Sequence, residues 1–287
     1  MSTLSKVIIV GGTHGNEFTG VQIVKHYQDY LTEKFPELKL EFILANPEAH
    51  RLNKRFKDED LNRAFQYLNE ERFSYEHKRA HEIKKIIEKE KCLVLDLHTT
   101  TSNMGNTVIV SHYNSLNLSL CSTLSREIKN CRVIAAPDPH LKYLASQSEF
   151  GLIIEVGPVA NGVVSALPLE NSLKIVECIL NCLIGENLEK NGSFEIFEEV
   201  QDVAYPTDDK NQITGYIHCS FQDQDFLPLD GKFIPFRTYK NQNMEMNVEE
   251  KLYPIFINEA AYYPQQVAFT LCRKKVAIFN ALHYAIK

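Results

Sequence analysis

At 287 residues, with 44% hydrophobic and 24% charged side chains, the chain has the composition of a soluble globular protein, long enough for one large domain or two unequal ones. A formal net charge of −6 gives no electrostatic case for nucleic acid or an anionic membrane. No apolar run approaches the ~18 residues that a bilayer span requires. Lys6 precedes only a short apolar run, so no secretory leader is expected and the cytoplasm is the expected location. The seven cysteines form no C-x-x-C pair and read as reduced, mostly buried thiols.

Val7 to Val10 are all β-branched, too short a run for a helix, and read as a buried strand. Gly11-Gly12 breaks that strand into a tight turn. His14 and Glu17 follow at the expected start of a helix, where a spacing of three puts both on one face. That pair is a plausible half-site for zinc, although one His-x-x-Glu is weak evidence alone. The glycines do not fit G-x-G-x-x-G, which argues against a dinucleotide turn.

A helix is expected over 18–31 from its apolar period, then a buried strand over 38–44. Residues 48–73 read as a long polar loop containing RFKDEDLNRAF (55–65), and a loop of that length is more often functional than filler. Ser74 reads as the N-cap of a helix to about residue 90. Its His77 and His81 are assigned to a solvated helix face rather than to a second metal site. CLVLDL (92–97) is a third strand with His98 immediately after it. Strands over 107–110 and 132–135 flank a helix over 115–129. GLII (151–154) is a further strand with Glu155 as the first polar residue beyond it, and a helix over 168–184 ends at Gly185. From about residue 190 short alternating runs separated by Pro, Asn and Gly take over. The expectation is an α/β domain over 1–190 followed by a smaller β-rich domain over 191–287.

In an open α/β sheet, ligands bind beyond the carboxyl ends of the parallel strands. Three strands aim His14, Glu17, His98 and Glu155 at one such edge. Two histidines and a carboxylate, with water as fourth ligand, make a catalytic zinc arrangement. Asp96, just before His98, is assigned to the opposite strand face and to a supporting role. Glu155 is the natural general base; its alternative is a structural carboxylate at the Gly157 turn. Arg55, Asn62 and Arg63 in the polar loop suggest a small anionic substrate, with one arginine available to an oxyanion. Arg51, Lys54 and Lys57 read as solvated charges.

The segments GGTHGNEFTG (11–20), DLNRAF (60–65), DLHTTTSNMG (96–105), LKY (141–143), IEVGP (154–158), QDQDF (222–226) and NEAAYY (258–263) run nearly end to end. On them the chain resembles the aspartoacylase family, within the wider zinc carboxypeptidase-like group. The resemblance implies a zinc-carboxypeptidase-like α/β domain with a central mixed, mostly parallel sheet, and a β-rich C-terminal domain closing over the active site. It also implies deacetylation of N-acetyl-L-aspartate to aspartate and acetate. His14, Glu17 and His98 then match the ligands of one Zn2+ per subunit, and Glu155 the base. Arg55 matches the group polarising the scissile carbonyl, Asn62 and Arg63 those binding the α-carboxylate, and Tyr143 and Tyr262 substrate-contacting tyrosines. The implied partner is a small anionic N-acyl amino acid, with a homodimer left open. Gln147 stands where relatives specific for N-acetylaspartate carry an arginine, forfeiting a charge-assisted contact worth about 1.5–3 kcal/mol. Deacylases of neutral or aromatic N-acyl amino acids therefore stay open, and so does succinylglutamate desuccinylation. The full set of ligands, base and arginine argues against a metal- or anion-binding module without turnover, because simple binding needs no Glu155.

Overall fold

The computed structural model describes residues 4, 6–138, 141–185, 188–189, 191–280 and 284–286. Lys190, at the expected domain boundary, lies outside them. In chain order the elements are β1 (Lys6–Gly11), α1 (Phe18–His26), α2 (Gln28–Lys34), β2 (Leu40–Leu44), α3 (Pro47–Arg51), α4 (Leu61–Ala64) and α5 (Tyr75–Ile87). Then follow β3 (Cys92–Thr99), β4 (Gly105–Val110), α6 (Ser115–Glu127), β5 (Cys131–Ala135), β6 (Phe150–Gly157) and α7 (Ala166–Ile184). The rest is β7 (Asn191–Ala204), β8 (Gly215–Ile217), β9 (Leu229–Thr238), β10 (Asn243–Ile255), β11 (Val267–Asn280) and β12 (Tyr284–Ile286).

Strands β2, β1, β3 and β6 pair in parallel, β4 joins β6 antiparallel, and β5 lies parallel to β4. This is the mixed, mostly parallel sheet expected. The strict two-residue alternation of its central strands divides the core. Val7, Ile9, Leu93, Leu95 and Leu97 pack on one face with residues of α1, α6 and α7. Ile8, Val10 and Val94 pack on the other with residues of α4 and α5 and with Tyr253, Ile255 and Phe256. Strands covered on both faces are mostly apolar, which is why they read as near-continuous hydrophobic runs. The C-terminal β-rich part has a core of its own, centred on Phe221, Phe236, Ile257 and Phe269.

Two expectations need revision. The helix expected over 18–31 is two helices, divided at Tyr27 with φ −112° and ψ 5°. Helical hydrogen bonds continue on both sides, Tyr27 N–H to Ile23 O and Leu31 N–H to Tyr27 O. The apolar period therefore runs unbroken across the bend. The loop expected over 48–73 contains α3 and α4. Asn46 caps the first by accepting Ala49 N–H at 3.2 Å, and Asp60 caps the second by accepting Asn62 N–H at 2.9 Å. Both are too short for a period to show.

Candidate active site

The site grows from the β1–α1 turn. Gly12 takes φ +70°, a conformation that glycine adopts without strain. A Cβ on Gly15 would sit 2.1 Å from the backbone of Ala49, so only glycine lets α3 approach this closely. The contact also docks Arg55, whose carbonyl accepts Gly15 N–H at 3.0 Å. His14 and Glu17 do not share a helical face. His14 lies in the turn, Glu17 is the N-cap of α1, and Glu17 N–H donates to His14 O at 3.1 Å.

His14, Glu17 and His98 are buried and present donor atoms within 4.8 Å of one another. His14 Nδ1 lies 2.6 Å from Glu17 Oε1, His98 Nδ1 lies 2.9 Å from Glu17 Oε2, and the two Nδ1 atoms are 3.2 Å apart. Each ring turns its other nitrogen to a carboxylate: His14 Nε2 to Asp60 at 3.3 Å and His98 Nε2 to Asp96 at 2.9 Å. Asp96 is thus on the same strand face as His98, not the opposite one, because residues two apart on a strand share a face. Its other oxygen accepts the Thr13 hydroxyl at 2.6 Å.

Charge follows this geometry. Burial pushes the Glu17 carboxyl up, but His14 and His98 outweigh it and hold the group well below the usual range. Asp60 is likewise raised by burial and held far down by His14, Arg55 and Arg63. Burial opposes a charge on His98, yet Asp96 and Glu17 raise it well above the ordinary imidazole value. With each Nε2–H directed at a carboxylate, a neutral ring turns an unprotonated Nδ1 inward, the form that binds a divalent ion. The donor set fits a metal.

Glu155 stands beside His98 in the β3–β6 register and lies within β6 rather than beyond it. Its Oε2 is buried without a hydrogen-bond partner among the described residues. Burial pushes its carboxyl up to about 8, against the pull of His98 and with the help of Glu17. A carboxylate serving the Gly157 turn would not be left orphaned.

His14, Glu17, Arg55, Asn62, Arg63, His98, Tyr143, Glu155 and Tyr262 all line one pocket, whose empty volume is about 630 Å³ with open solvent at its mouth included. A space of that order suits a small molecule. Arg55 donates to Asp60 at 3.1 and 3.2 Å and to Glu17 at 3.3 Å. Asn62 Oδ1 is taken by Leu144 N–H at 2.9 Å, so the rest of its amide is what remains for a ligand. Arg63 stacks over Tyr143 at 5.5 Å. Tyr262 comes from the C-terminal part and packs edge-on to Phe256, and burial with Glu155 nearby keeps its hydroxyl protonated well above the usual range.

Other residues are not brought in. Gln147 donates to the carbonyls of Leu141 and Tyr143 and is buried in its own loop. Lys142 and Lys240 are absent from the pocket wall. His77 is buried, not solvated, its ring nitrogens 3.1 and 3.0 Å from the carbonyls of Arg72 and Tyr67. The sequence reading missed Asp60, Glu199 and Glu259. Asp60 carried only a helix-cap signal, Glu259 lay inside the NEAAYY segment, and Glu199 had no signal.

The chain matches the succinylglutamate desuccinylase/aspartoacylase catalytic domain over residues 3–183 and the AstE/AspA barrel-sandwich hybrid domain over 192–274. It is 35% identical to a protein of Trichodesmium erythraeum named "Probable aspartoacylase", over 96% of this chain and 99% of that one. It is 36% identical to the N-acyl-aromatic-L-amino acid amidohydrolase (carboxylate-forming) of Xenopus tropicalis, over 97% and 96%. The crystal structure of murine aminoacylase 3 superposes with a TM-score of 0.91 at 28% identity, covering 100% of both chains. Fold, pocket and relatives define a hydrolase acting on amide bonds, a deacylase. More particularly, the chain belongs to the succinylglutamate desuccinylase/aspartoacylase family, with its α/β catalytic domain and barrel-sandwich hybrid domain.

Proposed function

We propose that this protein is a zinc-dependent amidohydrolase that deacylates small N-acyl amino acids, with Glu155 as general base. The observation that carries the reading is the buried, partnerless Oε2 of Glu155 in the same pocket as the His14, Glu17 and His98 donors. When bound there, zinc supplies the Lewis acidity that makes water a nucleophile near neutral pH. Glu155 Oε2, with no partner to give up, accepts a proton from the attacking water and returns it to the leaving amine. Arg55, fixed by Asp60 and Glu17, supports the carbonyl oxygen as it gains charge. Arg63 and the Asn62 amide hold the substrate α-carboxylate, and Tyr143 and Tyr262 bracket the substrate from opposite parts of the chain.

N-acetyl-L-aspartate has the weaker support as the substrate. Of the two arginines in the wall, Arg55 is committed to carboxylates, which leaves Arg63 for one substrate carboxylate but nothing for a second.

The test is metal analysis and turnover of wild type and Glu155→Gln on a panel of N-acetyl amino acids. The variant is expected to keep one zinc and lose at least about 100-fold in kcat. Near-normal turnover by the variant would remove Glu155 from the base role, and a wild type that takes up no zinc would sink the reading.

A further inference from the structure

We propose that Glu199 sets the side-chain specificity of this deacylase, rejecting substrates with a side-chain carboxylate and accepting a neutral amide or an ammonium group. The inference rests on the reading above and deepens it. Glu199 belongs to β7 and lines the pocket with Tyr262, whose hydroxyl feels its charge. Its backbone is held in the β7–β11 ladder, and no described residue donates a hydrogen bond to its carboxylate.

The other three carboxylates in the wall are spoken for or already assigned. Glu17 faces His14, His98 and Arg55, Glu155 is the proposed base, and Glu259 is saturated by donors from 100–102. Glu199 is the one whose charge remains directed at a ligand. Lys142 offsets that charge in part, but its ammonium is seated 4.9 Å over the Tyr143 ring and does not line the pocket. Gln147 is turned into its own loop.

Once the α-carboxylate occupies Arg63, a second carboxylate would meet Glu199 with no uncommitted cation left in the pocket wall. Like charges brought together in the pocket repel, and a hydrogen-bond donor in the same place gains instead. The same pocket is lined by Ile109, Ala136 and Ile153, apolar surface that suits the methylenes of a side chain.

The experiment measures kcat/KM of zinc-loaded wild type, Glu199→Gln and Glu199→Arg on N-acetylaspartate, N-acetylasparagine and Nα-acetyllysine. It also measures N-acetylaspartate binding calorimetrically in the Glu155→Gln background, with and without Glu199→Arg. Wild type is expected to prefer asparagine to aspartate by at least about tenfold. Glu199→Gln should narrow that ratio, Glu199→Arg should reverse it, and acetyllysine should lose in both. Ratios within about twofold of wild type in both variants, or a wild type that prefers aspartate, would overturn the proposal. Absence of turnover on every substrate would remove the deacylase reading alone if Glu199→Arg still tightens N-acetylaspartate binding, and both if it does not.

Discussion

At the residue scale, the legible part of the site was the part that strands aim. His98 and Glu155 could be found because each follows an apolar run, and His14 and Glu17 because they follow a glycine turn. Asp60 could not, since its partners Arg55 and His14 are 5 and 46 positions away and meet it only after the loop has folded. Glu155 also carries a prediction about pH. Its folded carboxyl is raised to about 8 from an ordinary value of 4.5 by burial. Between those values the metal-free folded state holds a proton that the unfolded chain has released, so stability falls as pH rises through that window. Thermal melts of the metal-free protein should therefore show Glu155→Gln gaining on wild type from about pH 5 to pH 8. An equal offset at every pH would mean that Glu155 is not buried as a neutral acid.

Elements were legible where burial is uniform. The strands β1, β3 and β6 are interior strands of a sheet covered on both faces, and the runs that build them, VIIV, CLVL and GLII, are apolar. The bend at Tyr27 and the short helices α3 and α4 were not, because no apolar period changes there. Strand alternation also decides what Asp96 does. Val94, Asp96 and His98 share the face that carries the pocket, so Asp96 meets His98 Nε2 at 2.9 Å and fixes which nitrogen turns inward. Asp96→Asn keeps the shape but removes the charge that orients the ring. Zinc affinity should fall about 10- to 100-fold in a chelator competition. An unchanged affinity would reduce Asp96 to a packing role.

At the scale of the whole molecule, the two parts meet at Glu259. One of its oxygens accepts Thr101 N–H at 2.8 Å, Ser102 N–H at 3.2 Å and the hydroxyls of Thr100, Thr101 and Ser102. The other accepts Ala261 N–H at 3.0 Å, at the start of the turn that carries Tyr262. One buried carboxylate thus ties the segment after His98 to the segment that closes the pocket. Glu259→Ala would leave several of those donors without a partner, at about 1–3 kcal/mol for each that stays buried. We expect a melting temperature lowered by about 2–4 °C per kcal/mol lost, and a raised KM as Tyr262 loosens. A variant that melts and binds like wild type would show the junction to be held elsewhere. No sequence pattern announces this contact, since its partners are 157 to 159 positions apart.

The sheet itself crosses the same junction. Ile134 and Ala135 of β5 pair in parallel with Phe197 and Glu198 of β7, and β7 then pairs along its length with β11. The C-terminal part therefore serves as an edge guard: it occupies the rim of β5, which would otherwise offer unpaired amides and carbonyls to any passing strand. Guarding by main-chain pairing also couples the two parts through the sheet itself. If Glu199 sets specificity as proposed, selection and traffic of substrate pass through one small set of side chains at the pocket.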